Sequence, residues 1–151
     1  EAGWALDRQV AELGRTLGEE LLEPTRVYAQ DCLGLADAVE VHAMCHVTGG
    51  GLANNLARVL PSGVDATIDR GTWQPAPIFQ LVQEVGQISQ PDIEATLNMG
   101  VGMVAVVAAD DTDNAIAHLT QVGIASWVLG ETTEGNEDVA GSVTMVGAHS
   151  V

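Results

Sequence analysis

Apolar residues recur along the chain with two periods, and the period predicts which segments are helices and which are strands. Helical spacing occurs over residues 25–39, 52–60, 77–85 and 110–121. Alternating or continuous short apolar runs, which predict strands, occur over residues 39–47, 64–69, 100–108, 124–131 and 141–148. This order of elements predicts an α+β or α/β fold in which a mixed central sheet is covered by helices.

The run over residues 100–108 is the most continuous of the apolar segments and is rich in β-branched residues. Both of its faces are apolar, which is typical of a strand buried on both sides. We therefore expect it to be the central strand. Residues 1–20 are charged, lean towards helix and are interrupted by Gly14 and Gly18, so they read as a lead-in segment to a folded domain over residues 21–151.

Composition narrows the partners that the chain can have. Its 151 residues suit one domain, and it carries 21 acidic residues against five arginines and no lysine, for a net charge of −16. Such a charge repels nucleic acid and anionic membranes, so neither is an expected partner. An anionic ligand would have to be held by arginine or by backbone N–H groups.

No signal peptide and no apolar run of about 18 residues occur, so we expect a cytoplasmic protein in which Cys32 and Cys45 are buried reduced thiols.

The densest glycine cluster, in "HVTGGGLANN", lies between a predicted strand and a predicted helix. Glycines let a backbone approach a ligand closely, and a helix N-terminus offers unpaired N–H groups. Thr48, Gly49, Gly50 and Gly51 therefore predict an anion-binding loop that needs no lysine. The spacing matches neither a Walker A loop nor a dinucleotide fingerprint. A glycine turn needed only for its geometry is the alternative, and the local chemistry leaves both open.

Polar residues around the loop are further candidates. His46 ends the strand before the glycines, and His42 shares its predicted strand face. Asn54 and Asn55 begin the next helix, and Arg58 follows, although in so acidic a chain it could simply pair with a carboxylate.

Three other segments carry weaker signals. Asn98 and Gly100 in "TLNMGVGM" place polar and glycine residues before a strand, where a tight turn is the alternative. Trp73 is expected to be a packing anchor. The acidic run over residues 110–113 is interpreted as helix capping and not as a metal site, so no metal is expected in this chain.

Four segments occur in an order and at a spacing that resemble one family: "LLEPTRVY", "HVTGGGLANNLARVLP", "IDRGTWQPAPIF" and "TLNMGVGM". They are similar to the C-terminal domain of aminoimidazole ribonucleotide (AIR) synthetase, phosphoribosylformylglycinamidine cyclo-ligase. The resemblance covers about residues 14–130. In that family ATP phosphorylates the formyl amide oxygen of formylglycinamidine ribonucleotide, and an amidine nitrogen then closes the imidazole ring, giving AIR, ADP and phosphate.

The resemblance implies an enzyme whose two halves have different functions. ATP and Mg²⁺ are held mainly by an N-terminal domain, which also forms a homodimer and would carry most catalytic residues. Residues 1–20 would lead in from that half, and this chain by itself would bind no cofactor and be inactive. Its partners would be a small-molecule nucleotide substrate and the N-terminal domain.

The resemblance also implies a set of substrate-binding residues. They match the family's two motifs at His46, Thr48, Gly49, Gly50, Gly51, Asn55 and Arg58, and at Thr96, Asn98 and Gly100. The glycine loop would hold the ribose 5′-phosphate or a transferring phosphoryl group. Leu97 and the pair Asp92-Ile93 depart from the family pattern, which makes the second motif the less secure one. Two alternatives remain: a sister ATP-dependent family (formylglycinamidine synthetase, selenophosphate synthetase, thiamine-monophosphate kinase or the hydrogenase-maturation protein), and a non-catalytic acidic binding module.

Overall fold

A computed structural model describes residues 3–149 of the chain, which contain short strands and helices in alternation. The strands are β1 (Gln9–Val10), β2 (Arg15–Thr16), β3 (Val41–His46), β4 (Val64–Asp69), β5 (Met103–Val107), β6 (Gly130–Glu134) and β7 (Val143–Val146). The helices are α1 (Leu17–Leu21), α2 (Ala29–Ala38), α3 (Gly51–Ala57), α4 (Pro77–Gly86), α5 (Gln90–Glu94) and α6 (Thr112–Gln121). Single 3₁₀ turns cover Ala11–Leu13, Arg70–Thr72 and Ala109–Asp111.

The α+β class is confirmed, but the strands are divided among three sheets. Strands β1 and β2 form a small hairpin, and β3 pairs with β5 in an antiparallel sheet. The mixed sheet has the order β6-β4-β7, with β4 antiparallel to β6 and parallel to β7. The prediction that the run over residues 100–108 forms the central strand is wrong, since β5 pairs with β3 alone within residues 3–149.

The apolar character of β5 has another cause than a central position. Val104 and Val106 pack against the hydrophobic core. The strand also lines a largely apolar cavity of about 690 Å³, whose other walls include residues of α2 and α6. An apolar residue is therefore favoured at most positions of β5 even though one edge of the strand is unpaired.

The core lies where β3, α3 and β4 meet. Its buried members are Cys45, Val47, Leu52, Leu56, Leu60, Ala66, Ile68, Trp73 and Val101. Burying each of the larger ones stabilises the fold by about 1.5–3 kcal/mol. Trp73 is 8% exposed, so its predicted role as a packing anchor is confirmed.

Both cysteines are free; Cys45 is buried and Cys32 half-buried, and burial raises the pKa of each thiol.

Two further predictions fail for local reasons. The strand expected over residues 124–131 begins only at Gly130, opposite Ile68, where the backbone of β4 comes so close that a Cβ at position 130 would overlap Thr67. Residues 131–134, expected to be loop, therefore form β6. The acidic run before α6 makes no side-chain capping hydrogen bond because the 3₁₀ turn Ala109–Asp111 leads straight into the helix, although Asp113 does lie in its first turn.

The segment expected to be helix-leaning, residues 1–20, is α-helical only at α1 within its described part, beside the 3₁₀ turn Ala11–Leu13. Thr16 and Glu19 form a capping box at the start of that helix. No helix within residues 3–149 has both the length and the apolar character needed to cross a bilayer.

Candidate functional site

Pairing of β3 with β5 brings the two candidate segments together. His46 lies opposite Met103, and the N–H of Val47 donates to the carbonyl oxygen of Gly102 over 2.9 Å. Because the strands are antiparallel, the end of β3 lies beside the start of β5. The loop over residues 47–50, called the glycine loop below, is therefore adjacent to the turn over residues 98–102, called the Asn98 turn.

Two of the three consecutive glycines are required by backbone conformation. Gly50 has φ of +105° and Gly51 has φ of +73°, a region that residues with a side chain rarely adopt. The N–H of Gly51 donates to the carbonyl oxygen of Thr48 over 3.2 Å, which closes the loop immediately before α3. Gly49 has no such constraint: a Cβ there would meet no atom within 4 Å.

Asn55 holds the glycine loop from inside. Its side-chain amide donates to the carbonyl oxygens of Gly51 (2.7 Å), Thr48 (3.3 Å) and Gly49 (3.3 Å). The neighbouring Asn54 donates to the carbonyl oxygen of Gly50 over 2.8 Å. Asn55 is 7% exposed and is the one buried polar residue within residues 3–149. The sequence grouped Asn55 with the substrate-binding residues, whereas its amide here is engaged with the loop.

With the loop carbonyls held by amides, the backbone N–H groups are left for a ligand. The N–H groups of Thr48, Gly49 and Gly50 make no hydrogen bond to another group of residues 3–149, and Thr48 and Gly49 are exposed. Successive free N–H groups in such a turn favour an anion.

Arg58 adds a positive charge beside these N–H groups. Its Nη2 lies 3.8 Å from the position that a Cβ on Gly50 would occupy. The guanidinium is close enough to Cys45 to oppose the rise in that thiol's pKa that burial causes. No carboxylate of residues 3–149 forms a salt bridge with Arg58, so the alternative that it simply pairs with an acid is not what the structure shows.

His46 and His42 have different surroundings. The exposed ring of His46 packs edge-on against Tyr28, with centroids 5.8 Å apart and an angle of 64° between the rings. Tyr28 in turn fills the space over Gly102, where its ring and hydroxyl would overlap any Cβ. His42 lies in a bulge at the far end of β3, 4.0 Å from Glu40, and so away from the loop. Sequence reasoning missed Tyr28 and Gly102, although both lie in the segments that carry the family resemblance.

The Asn98 turn uses its polar atoms internally. The Oδ1 of Asn98 accepts from the N–H of Gly100 over 3.0 Å, and its carbonyl oxygen accepts from Val101 over 3.0 Å. Met99 has φ of +50° and Gly100 has φ of +93°. A tight turn was the alternative for this segment, and a tight turn is what the structure shows. Thr96 donates its hydroxyl to the carbonyl oxygen of Asp92 over 2.8 Å, just after the end of α5.

A partly buried ion pair lies behind the glycine loop, and no pattern in the sequence predicted it. Arg70 binds Glu94 in bidentate fashion, with Nε to Oε1 at 2.7 Å and Nη2 to Oε2 at 2.8 Å. These hydrogen bonds lower the pKa of the Glu94 carboxyl against the opposing effect of burial, and Gln90 lowers it further. The Arg70 side chain is 19% exposed and that of Glu94 is 12% exposed.

The described residues offer no metal centre. No three side chains of Asp, Glu, His or Cys converge within residues 3–149. The acidic residues 110–113, the run most suggestive of cation binding in the sequence, are taken up by a 3₁₀ turn and the start of α6. The donors of residues 3–149 therefore form no set that fits a bound Mg²⁺.

Comparison with known sequences gives a consistent picture. The family described as "AIR synthase related protein, C-terminal domain" matches residues 2–142. A protein of Streptomyces fradiae named "Putative phosphoribosylformylglycinamidine cyclo-ligase" is 55% identical over 152 residues, which cover 99% of this chain and 84% of that protein.

Two longer relatives carry the name phosphoribosylformylglycinamidine cyclo-ligase. The one from Alkaliphilus oremlandii is 46% identical over 130 residues, and the one from Brevibacillus brevis is 42% identical over 139 residues. The matches cover 86% and 92% of this chain, but only 38% and 40% of the two relatives. The chain thus spans about two-fifths of the length of these cyclo-ligases.

Proposed function

The chain belongs to the family of the AIR synthase related protein C-terminal domain, and we propose that it is the substrate-side domain of an ATP-dependent phosphoribosylformylglycinamidine cyclo-ligase. The proposed enzyme converts formylglycinamidine ribonucleotide into AIR, which belongs to purine biosynthesis. Three relatives at 42–55% identity are named as cyclo-ligases, and these names support this reaction over the reactions of the sister families.

The observation that carries the proposal is the combination, at the glycine loop, of backbone N–H groups and an arginine that have no partner among residues 3–149. The phosphate of a nucleotide substrate would accept hydrogen bonds from the N–H groups of Thr48, Gly49 and Gly50 and a charge-assisted bond from Arg58. Asn55 would position the loop without touching the phosphate. No lysine is needed, which suits a chain that has none.

The Asn98 turn would form the second wall of the substrate site. Its position beside the glycine loop follows from the hydrogen bond between Val47 and Gly102. His46 stands at the junction of the two, exposed and held edge-on by Tyr28, where its imidazole can donate to or accept from the substrate. Gly100 has no side chain, so it leaves space beside this wall of the site. A Cβ at position 100 would meet only Phe79, at 3.9 Å.

ATP and Mg²⁺ belong to the other half of the proposed enzyme. The glycine loop and Arg58 lie open on the surface and do not line the 690 Å³ cavity, so a nucleotide held there would be enclosed only by a further domain. The chain's shortness against its cyclo-ligase relatives supports such a domain. The assembled enzyme would be a cytoplasmic homodimer.

The test is reconstitution of activity. This chain is joined to the portion of the Alkaliphilus oremlandii cyclo-ligase that it does not match, and ATP-dependent formation of AIR is measured. We expect turnover by the joined protein and none by the 151-residue chain alone. The variant Arg58→Gln should raise KM for formylglycinamidine ribonucleotide by about tenfold with little change in kcat, because a bond made in both ground and transition states is lost.

The control is Arg8→Gln, which removes an arginine that stacks on Trp4 at 3.8 Å and touches neither loop. It should leave KM unchanged. An active joined enzyme with the same KM in the Arg58 and Arg8 variants would contradict the assignment of the glycine loop to the substrate phosphate.

A further inference from the structure

We infer that Arg70 and Trp73, at the two ends of one short turn after β4, are positioning residues that hold both walls of the substrate site. The turn comprises residues 69–73 and is called the Arg70 turn here. This inference deepens the proposed function and rests on it. It concerns how the site is kept in shape, and neither residue needs to touch the substrate.

The first wall is held through Glu94. Arg70 binds both carboxylate oxygens of Glu94, at the last residue of α5. The backbone of Glu94 lies against the first residue of α3, so closely that a Cβ on Gly51 would overlap the Glu94 carbonyl and lie 3.2 Å from the carbonyl carbon of Ala95. Arg70 thereby fixes the position of α5, and α5 fixes the position at which the glycine loop joins α3.

Other groups around Glu94 keep this contact in one geometry. Gln90 donates to Oε1 over 2.8 Å, and His149 Nε2 lies 3.5 Å from the same oxygen. The His149 ring packs edge-on against Trp73 with centroids 4.6 Å apart, and its Nδ1 lies 3.2 Å from the carbonyl oxygen of Arg70. The carboxylate is therefore hydrogen-bonded by both Arg70 and Gln90, with the His149 ring beside it, which a lone surface ion pair lacks.

The second wall is held through Met99. The indole N–H of Trp73 donates to the carbonyl oxygen of Met99 over 3.0 Å, in a buried contact. Met99 has a side chain and yet adopts φ of +50°, a conformation that persists only where its surroundings enforce it. The Trp73 bond, with the two bonds of Asn98 to Gly100 and Val101, supplies that enforcement.

The Arg70 turn is itself well fixed, so the two walls have a common support. The Oδ1 of Asp69 accepts from the N–H of Gly71 over 2.8 Å, and the hydroxyl of Thr72 donates to the carbonyl oxygen of Asp69 over 2.8 Å. Asp69 ends β4, which is the middle strand of the mixed sheet. The spacing between the glycine loop and the Asn98 turn is thus set by Arg70 and Trp73, two residues of one strand-end turn.

The experiment follows the backbone amide signals of both walls by NMR, in the absence of any ligand. The variants are Arg70→Gln, the milder Arg70→Lys, Glu94→Gln, the double variant of Arg70→Gln with Glu94→Gln, and Trp73→Phe, which removes only the N–H donor. Arg15→Gln is the matched control, since Arg15 also binds two carboxylates (Glu20 at 2.7 Å and Glu23 at 2.6 Å) but lies in the N-terminal segment.

We expect each variant to shift the amide signals of the wall that the altered residue supports. Arg70→Gln and Glu94→Gln should shift the amides of Gly50 and Gly51, the double variant should add little beyond either single one, and Arg70→Lys should shift them less. Trp73→Phe should shift Met99 and Gly100 instead. Arg15→Gln should move neither set. Equal shifts at both walls in every variant, or loop amides unmoved in the folded Arg70 and Glu94 variants, would overturn the inference.

A second readout separates this inference from the proposed function. Ribose 5-phosphate is titrated into the same proteins, and Arg70→Gln should weaken its binding by about tenfold relative to the Arg15 control. If the unaltered protein bound no ribose 5-phosphate, the proposed function would fail while the amide shifts still decided the positioning role. If binding were normal in a folded Arg70→Gln protein with displaced loop amides, the positioning role would fail and the phosphate site would stand.

Discussion

The carbonyl oxygen of Glu94 occupies the space that a Cβ on residue 51 would need, so the last turn of α5 and the first turn of α3 can meet only at a glycine. This contact places the Arg70–Glu94 ion pair directly behind the glycine loop. It also separates the three consecutive glycines by role. Gly51 is required by packing and conformation, Gly50 by conformation, and Gly49 by neither.

Gly51→Ala should therefore be costly and Gly49→Ala should not. The alanine at position 51 would face a left-handed backbone, which costs about 1–2 kcal/mol, and an overlap that costs about 1–3 kcal/mol more. Gly49→Ala should change the free energy of unfolding by less than about 0.5 kcal/mol. Urea unfolding of both variants measures the difference, and equal losses would show that the α3–α5 contact is not tight.

Asn55→Ala should destabilise the glycine loop more than Asn54→Ala does. Removing the Asn55 amide takes away its bonds to the carbonyl oxygens of Thr48, Gly49 and Gly51, of which the bond to Gly51 is buried, at a cost of about 1–3 kcal/mol. Asn54 makes one exposed bond, so its loss should cost about 0.5 kcal/mol or less. Thermal unfolding gives the stabilities, and hydrogen exchange at Gly49–Gly51 should be faster in the Asn55 variant. Unchanged exchange there would contradict the role given to Asn55.

Acid should remove the contribution of Glu94 to stability. Hydrogen bonds from Arg70 hold the pKa of this carboxyl below its ordinary value of 4.5, so the folded state binds its proton less readily than the unfolded state. The resulting stabilisation is complete above the unfolded pKa and is lost as the pH falls through the folded pKa. The difference in free energy of unfolding between the unaltered protein and Glu94→Gln should thus be constant near neutral pH and shrink below about pH 4.5.

The control for this pH series is Glu12→Gln, which alters an exposed carboxylate that forms no ion pair within residues 3–149. Its stability should differ little from that of the unaltered protein at any pH in the series. A Glu94 difference that stayed constant down to about pH 3 would mean that the ion pair contributes nothing that depends on ionisation.

The sequence predicted those parts of the fold that local patterns control. The alternation of residues 64–69 matches β4 without error, and the apolar spacing after the glycines marks α3, although the helix begins at Gly51 and ends at Ala57. Residues 124–131 fail because their apolar character serves the cavity wall, whereas strand pairing is decided by the close approach of β4 at Gly130.

The sequence singled out the residues of the candidate site, whose role stays a prediction, but not the residues that support them. The glycine loop, Arg58 and the Asn98 turn stand out locally, and β3–β5 pairing places them together. The Arg70–Glu94 pair joins residues 24 positions apart, and nothing in a single sequence selects one carboxylate out of 21 as the partner. The amide of Asn55 donates to the carbonyls of its own loop, an arrangement that the sequence alone could not distinguish from contact with a ligand.

The most direct test of the phosphate site is an NMR titration of the unaltered protein with ribose 5-phosphate, and with ribose as the matched ligand that lacks the phosphate. The amide signals of Thr48, Gly49 and Gly50 should shift and saturate with ribose 5-phosphate but not with ribose, and Arg58→Gln should weaken the binding by about tenfold or more. Equal responses to the two ligands, or saturation at unchanged affinity in the Arg58→Gln protein, would contradict the proposal that this loop holds the substrate phosphate.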